Sequence, residues 1–328
     1  MPSPRGHRRP AMLAALLTHA ALSFSQQGIN LLMLPLYLHY VPAEEIGVMA
    51  AVMAAAALVG VVANLKLDSA MRAFYFDHHE DSEATTSLLR QVFSASIITA
   101  SLVYLVLLPL GGPIFALVFA HDTVTYFPAG ALAVGTAALN ACLATYFVYL
   151  RNRLLLAELA RWQMGILAAT ACLQATLLIG FDLGVNGILW GALCPVAMAL
   201  LLLVIIRPGL LSARLDAKMV GPCLRFSLPL VGLGVIYALG TRFDRLLLER
   251  HVALAELGAY AVLMSLFALV RIVLTILDDA CRPYLYPALK AGDLAHERFQ
   301  RLYFLVGLAA VSTVVFAGAY LNLLTEDP

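Results

Sequence analysis

Residues 46–65 read IGVMAAVMAAAALVGVVANL, an apolar stretch without a charged side chain. A helix needs about 20 predominantly apolar residues to cross the hydrocarbon core of a bilayer. The whole chain shares this character: of 328 residues, 62% are hydrophobic, 12% are charged, and the mean hydropathy is +0.88. Soluble domains carry about 25% charged residues. The sequence therefore predicts an all-α polytopic membrane protein rather than a soluble enzyme.

Eight other stretches are similarly apolar, so the sequence predicts about nine transmembrane helices. The predicted spans are residues 12–40, 46–65, 92–110, 127–150, 163–180, 185–206, 226–248, 257–277 and 302–323. The first is too long for the apolar region of a signal peptide and is predicted as a helix. Glycine, proline and charged residues collect between spans, and we expect the helices to break there. The predicted breaks are residues 111–113, 182–186, 208–222 and 281–292.

The distribution of basic residues predicts the orientation of the chain, because lysine and arginine collect on the cytoplasmic side of membrane proteins. With the N-terminus in the cytoplasm, 17 of the 21 basic residues fall at cytoplasmic helix ends. They are Arg5, Arg8, Arg9, Lys66, Arg72, Arg90, Arg151, Arg153, Arg161, Arg207, Arg214, Lys218, Arg225, Arg282, Lys290, Arg298 and Arg301. Arg242, Arg245 and Arg250 fall outside, and Arg271 lies within a span. This bias supports the helix count, because one missed helix would reverse the side of the membrane predicted for every later loop.

A short internal repeat predicts two related lobes. Residues 45–47 read EIG at the start of the second predicted helix, and residues 256–258 read ELG at the start of the eighth, 211 residues later. Six helices separate the copies, so both face the same way, as in transporters with parallel repeats about an axis along the membrane normal. Residues 1–210 are predicted to form a six-helix lobe. Residues 211–328 are predicted to form half of a second lobe, with three helices, and we expect a C-terminally truncated chain.

Several motifs, ordered along nearly the whole chain, resemble those of one family. They are LLMLPLYL at residues 31–38, EEIG at 44–47, LDSAMRAFYF at 67–76, LRFSLP at 224–229, FDRLLL at 243–248 and AELGAYA at 255–261. Their order and spacing resemble the polysaccharide biosynthesis (Wzx-like) oligosaccharide flippases of the multidrug/oligosaccharidyl-lipid/polysaccharide exporter superfamily.

The resemblance implies two six-helix lobes around a central cavity and transport by alternating access. The implied substrate is an oligosaccharide on a polyprenyl pyrophosphate carrier, moved from the cytoplasmic to the outer leaflet of the bacterial inner membrane. Such a step serves the biosynthesis of polysaccharide, lipopolysaccharide or O-antigen. The implied partners are membrane lipid, a glycan polymerase and other assembly proteins, and no nucleic acid. No catalytic residue, cofactor or metal ion is expected.

Arg271 is the leading candidate for substrate binding, because it lies well inside the eighth predicted span. An arginine at a helix centre costs about 2.5–3.5 kcal/mol on insertion scales, so it is normally kept facing a cavity or a partner. Arg271 would hold pyrophosphate or an acidic sugar; the alternative is an arginine paired to a neighbouring helix for packing. Asp278 and Asp279 follow two turns later on the same face and are candidates for gating or coupling.

Lys66 and Arg72 are predicted to close the second helix on the cytoplasmic side, where a cation meets a pyrophosphate headgroup as it enters. The alternative is positive-inside anchoring, with an Asp68–Arg72 pair at i, i+4. The first helix carries polar amides at helical spacing, namely Gln26, Gln27 and Asn30. These amides line the sugar path or bond to another helix.

Asp244 and Arg245, with Arg242 one turn before, lie near the outer end of the seventh predicted helix. One interpretation is a gate or a coupling site between the lobes. The alternative is an interfacial charge cluster whose side chains extend to water.

Two other classes of function stay open at this point. A cation-coupled multidrug exporter of the same superfamily would have acids in its cavity, and Arg271 argues mildly against it. A membrane-embedded enzyme of glycan assembly needs reactive residues grouped in a sizeable outer loop. The longest outer loop, residues 111–126, offers only His121 and Asp122. A non-catalytic scaffold of glycan assembly is a further alternative, but the pattern favours a transporter.

Overall fold

The computed structural model describes residues 32–78, 81–212, 214–265 and 267. Residues 33–261 form one compact unit, while Leu32 and the residues after Ala261 belong to a second. Every regular element in the described ranges is a helix. The helices are α1 (residues 32–40), α2 (Ala43–Asn64), α3 (Leu67–His78), α4 (Ser82–Val118), α5 (Ala131–Asn152), α6 (Leu156–Phe181), α7 (Gly184–Ile206), α8 (Ala217–Glu249) and α9 (Leu254–Ser265).

Six of these helices, α2 and α4 to α8, are long and apolar enough to cross a membrane. Each covers one of the predicted spans, so the prediction of an all-α polytopic membrane protein is confirmed. The first and eighth predicted spans are described only in part, as α1 and α9. The ninth lies outside the described residues.

The predicted break at residues 111–113 is wrong, because α4 runs through it without interruption. Backbone groups in a bilayer have no water to bond, so a helix tends to persist through glycine and proline. The aromatic ring of Tyr126 lies where a Cβ on Gly111 would be, whereas a Cβ on Gly112 would meet nothing within 4 Å. Gly111 therefore serves close packing against the turn before α5.

The predicted break at residues 208–222 is shorter than expected, because α8 already begins at Ala217. The side chain of Asp216 accepts a hydrogen bond from the Lys218 N–H at 2.9 Å, which caps the helix. This is the usual role of aspartate at a helix N-terminus. Pro222 consequently lies inside α8 and does not precede it.

The segment after α2 forms a helix that the hydropathy pattern did not separate. α2 ends at Asn64, and Leu65 and Lys66 adopt positive φ angles of 48° and 56° before α3 begins. Leu67, Ala70 and Met71 are fully buried, at the i, i+3, i+4 spacing of one helix face. Lys66 and Arg72 therefore do not close α2: one lies in the joint and the other on α3.

Small side chains let the membrane helices pack closely. Ala63 of α2, Ala100 of α4, and Ala138 and Cys142 of α5 form one buried cluster. Beside it, the hydroxyl of Thr99 donates to the Ala63 carbonyl at 2.9 Å. Close packing of small residues and short polar bonds are the usual ways of holding helices together in lipid.

Hydrogen bonds sort the helix ends into two groups. At one end Glu45 bonds Val185 and Glu249 bonds Ala120; at the other Arg90 bonds Gly209 and Arg207 bonds Glu158. The described spans therefore alternate in direction, as the charge pattern requires. The first group is termed the outer end and the second the inner end, following the orientation predicted from the basic residues.

Candidate functional site

Lys66 occupies the joint between α2 and α3 and extends onto α8. A Cβ placed on Gly234 of α8 would overlap the Lys66 side chain, and it would lie 2.8 Å from a methyl group of Val61. Gly234 is buried, and Lys66 is half-buried. Among the residues that the structure describes, none forms a hydrogen bond or ion pair with the Lys66 ammonium group. The joint therefore holds a half-buried cation that no residue in the described ranges neutralises.

The joint that carries Lys66 is a sharp turn held by a hydrogen bond between side chains. Two consecutive residues with positive φ turn the chain sharply between α2 and α3. The amide of Asn64 donates to the carboxylate of Asp68 at 2.9 Å across this turn. The predicted alternative of an Asp68–Arg72 ion pair is therefore wrong for the described structure, since Asp68 is bonded to Asn64 and no ion pair joins it to Arg72.

The α3–α8 contact continues from the joint toward the inner end. The rings of Phe74 and Phe226 meet edge to face, with centroids 5.7 Å apart. Arg72 on α3 and Arg225 on α8 are close to these two phenylalanines in sequence, and both arginines are exposed. The structure thus brings Lys66 to α8 and leaves Arg72 on the exposed face of α3.

The predicted charge cluster of Arg242, Asp244 and Arg245, termed the outer cluster, joins α8 to α9. The hydroxyl of Tyr260 donates to the Asp244 carboxylate at 2.6 Å. Arg245 lies 3.5 Å from the other carboxylate oxygen and donates weakly to the Thr241 carbonyl. Arg242 is half-buried beside them. Because Asp244 bonds a tyrosine on a separate helix, its role goes beyond that of a charge directed at water.

Glu249 is a buried carboxylate at the end of α8 that no sequence pattern marks as a candidate site residue. It accepts hydrogen bonds from the backbone N–H groups of Ala120 and His121 at 3.0 and 2.9 Å, and from the His121 ring at 3.1 Å. Arg250 next to it donates to the carbonyls of Leu117 and Val118 at the end of α4. The partners are more than 120 residues apart, so no local pattern indicates this contact.

The remaining predicted site residues lie outside the described residues. They are Gln26, Gln27, Asn30, Arg271, Asp278 and Asp279. Within the described ranges, no group of three or more His, Cys, Asp or Glu side chains could hold a metal ion. Asp81, which precedes α4, caps the helix by accepting hydrogen bonds from the Glu83 and Ala84 N–H groups.

Fold and charge placement define the class of this protein as a multi-pass, all-helical membrane protein with few, specifically placed polar groups. The chain belongs to the polysaccharide biosynthesis protein family, whose model matches residues 41–324. A solved structure of a MATE transporter from Vibrio cholerae is similar, with 17% identity and a TM-score of 0.49. The similarity covers 83% of this chain and 69% of that one. No curated protein matches the chain.

Proposed function

We propose that the protein flips oligosaccharide linked to polyprenyl pyrophosphate from the cytoplasmic to the outer leaflet by alternating access. Membership of the polysaccharide biosynthesis family supports a role in glycan assembly. The observation that carries the proposal is Lys66, a half-buried cation without a partner among the described residues. An ionisable residue inside a transmembrane segment is taken as a functional site by default. Lys66 lies at the inner end of α2, and it is proposed as such a site because its stem lies against Gly234 of α8.

The chemistry of the headgroup fits this cation. Lysine presents a compact charge with three donors on a flexible stem, which suits a phosphate oxygen that approaches from several directions. Gly234 leaves room for the stem to cross α8, so the ammonium group reaches the face between α2, α3 and α8. Arg72, exposed on α3, would attract the headgroup first, and Lys66 would bind it next. Arg271, with the amides Gln26, Gln27 and Asn30, is proposed to continue this path for the phosphates and the sugars.

The outer cluster is proposed to couple binding to motion. Asp244 accepts from Tyr260, and this hydrogen bond joins α8 to α9. Arg245 and Arg242 lie close to Asp244 on α8, and Asp278 and Asp279 are proposed to act in the same coupling. A glycan polymerase and other assembly proteins, located with it in the bacterial inner membrane, are the proposed partners.

The outer loop supports a transporter over an enzyme. His121, the one histidine of that loop, bonds Glu249 through its backbone and its ring. A histidine held in this way serves to tie α4 to α8. A multidrug exporter remains the competing function, and the experiment that follows distinguishes it.

The test is the sidedness of lipid-linked oligosaccharide in cells that lack the gene and receive it back in variant form. We expect repeat units to accumulate on the cytoplasmic leaflet in the deletion, and wild type to relieve this. Lys66→Gln should fail to relieve it, whereas Lys218→Gln, which removes an exposed lysine near the start of α8, should behave as wild type. Unchanged sidedness in the deletion would rule out flipping and favour drug export. Full relief by Lys66→Gln would remove Lys66 from the path.

A further inference from the structure

The first turns of α2 and α9 are in backbone contact. A Cβ placed on Gly47 would overlap the carbonyl oxygen of Leu254, and a Cβ placed on Gly258 would overlap the carbonyl oxygen of Ala43. The latter Cβ would also lie 3.1 Å from the Gly47 nitrogen. Only glycine permits two helices to approach this closely. This contact is termed the glycine crossing and consists of residues 43–47 and 254–258.

The glycine crossing is symmetric. The repeat offset of 211 residues relates Ala43 to Leu254 and Gly47 to Gly258. Gly47 contacts Leu254 and Gly258 contacts Ala43, so each contact is the image of the other. A pairing in which residue i contacts j′ and residue j contacts i′ is the signature of a two-fold axis. The repeated EIG and ELG segments therefore meet each other across a local pseudo-two-fold axis.

Neighbouring contacts place the crossing at the outer end. Within the first turns of α2, Glu45 accepts from the Val185 N–H at 2.9 Å and so caps α7. Just before α9, Glu249 bonds the end of α4 through Ala120 and His121. The crossing therefore brings the two repeats together where these outer helix ends are also tied.

We propose that the glycine crossing is the outer gate of the transport path and that it is closed in this structure. The proposal rests on the proposed function, because alternating access requires the repeats to separate at the outer end once per cycle. Backbone contact leaves no space for a sugar between α2 and α9. At the two glycines the contact is made by backbone atoms. The inner-end cation Lys66 would then receive substrate while this gate is shut.

The gate is tested by how fast water-soluble reagents reach the position of Ala51. Ala51 is fully buried and lies one turn below Gly47 on the same stripe of α2. A single cysteine is placed there in a chain whose five native cysteines are replaced. A membrane-impermeant thiol reagent is then applied to the outer face of right-side-out vesicles. We expect slow labelling in the otherwise native chain.

Alanine at either glycine should hold the gate open. The added Cβ overpacks the crossing and destabilises the closed state, so Gly47→Ala and Gly258→Ala should each speed labelling by about tenfold or more. The two variants should match, because the contacts are images of each other. Gly240→Ala is the control, since a Cβ there meets nothing within 4 Å. Slow labelling in both crossing variants, or equally fast labelling in the control, would overturn the gate.

A second measurement leaves both glycines in place, in case an alanine variant fails to fold. Cysteines at Ala43 and Leu254 are joined by a cleavable bifunctional thiol reagent. Linking should stop transport, so that lipid-linked oligosaccharide accumulates on the cytoplasmic leaflet, and cleavage of the linker should restore transport. Transport that is unaffected by linking would contradict the gate. Labelling at position 51 reports opening whatever the substrate is. If the alanine variants are labelled fast but the wild-type protein flips no glycan, the gate proposal stands and the proposed substrate is rejected.

Discussion

At the scale of single residues, the polar groups inside this membrane protein are of two kinds. Glu249 and Asp244 each accept hydrogen bonds from another segment, so each carboxylate ties α8 to a neighbouring part of the fold. Lys66 differs, because no described residue bonds its ammonium group. Lys66 is half-buried, and even partial burial of a charge without compensation is unfavourable. Its position in the α2–α3 joint is therefore the basis of the binding role proposed for it.

The position of Lys66 depends on Gly234, and this dependence yields a prediction. Gly234→Ala should displace the lysine from α8, because the new Cβ would occupy its path. Overpacking of this kind costs about 1–3 kcal/mol. In deletion cells that receive this variant, we expect more lipid-linked oligosaccharide on the cytoplasmic leaflet than with wild type, although the amount of protein in the membrane is normal.

Gly232→Ala is the matched control, because it lies on the same helix and its Cβ would meet nothing within 4 Å. If both alanine variants transport equally well, the contact between Lys66 and α8 has no part in function.

At the scale of elements, hydropathy is a good predictor of the membrane spans, whereas glycine and proline are poorer predictors of where the helices end. α4 continues through Gly111, Gly112 and Pro113, because a helix in lipid keeps its backbone bonds wherever it can. α3 does not stand out by hydropathy because it is only 12 residues long and carries Asp68, Arg72 and Asp77 among its apolar residues. The joint before it depends on two left-handed residues, neither of them glycine.

Two adjacent glycines in α4 allow a direct test of this interpretation. Gly111→Ala should lower the thermal stability of the detergent-solubilised protein, since the Cβ would overlap the Tyr126 ring; the expected cost is about 1–3 kcal/mol. Gly112→Ala should be neutral or stabilising by about 0.5–1 kcal/mol, because alanine is the better helix former. Equal melting temperatures for the two variants would show that Gly111 is not needed for packing.

At the scale of the whole molecule, alternating spans place their polar contacts at two ends. Outer contacts join α2 to α7 and α4 to α8, whereas inner contacts join α4 and α6 to the segment between α7 and α8. The short sequence repeat becomes a symmetric contact between α2 and α9. The same 211-residue offset that suggested related lobes thus relates atoms that touch.

The orientation of the molecule can be tested with two exposed positions. A cysteine in place of Asp122, in the loop after α4, should react with an impermeant thiol reagent from outside. A cysteine in place of Arg214, before α8, should react only after the membrane is permeabilised. The reverse pattern would invert the predicted topology and with it the naming of the inner and outer ends.

The class of protein, the described spans and their alternating direction follow from the sequence, because transfer into lipid is a local property that sums over about 20 residues. The sequence also pointed to Lys66, Asp244 and Arg245, since charge in an apolar segment is visible without a structure. The groups that these charges contact are known from the three-dimensional packing. Gly234, Glu249 and Tyr260 have no local signature, because their roles arise from close approach to segments distant in the chain. Likewise, two glycines in a repeat indicated symmetry, but their contact depends on how closely two backbones approach, which hydropathy does not encode.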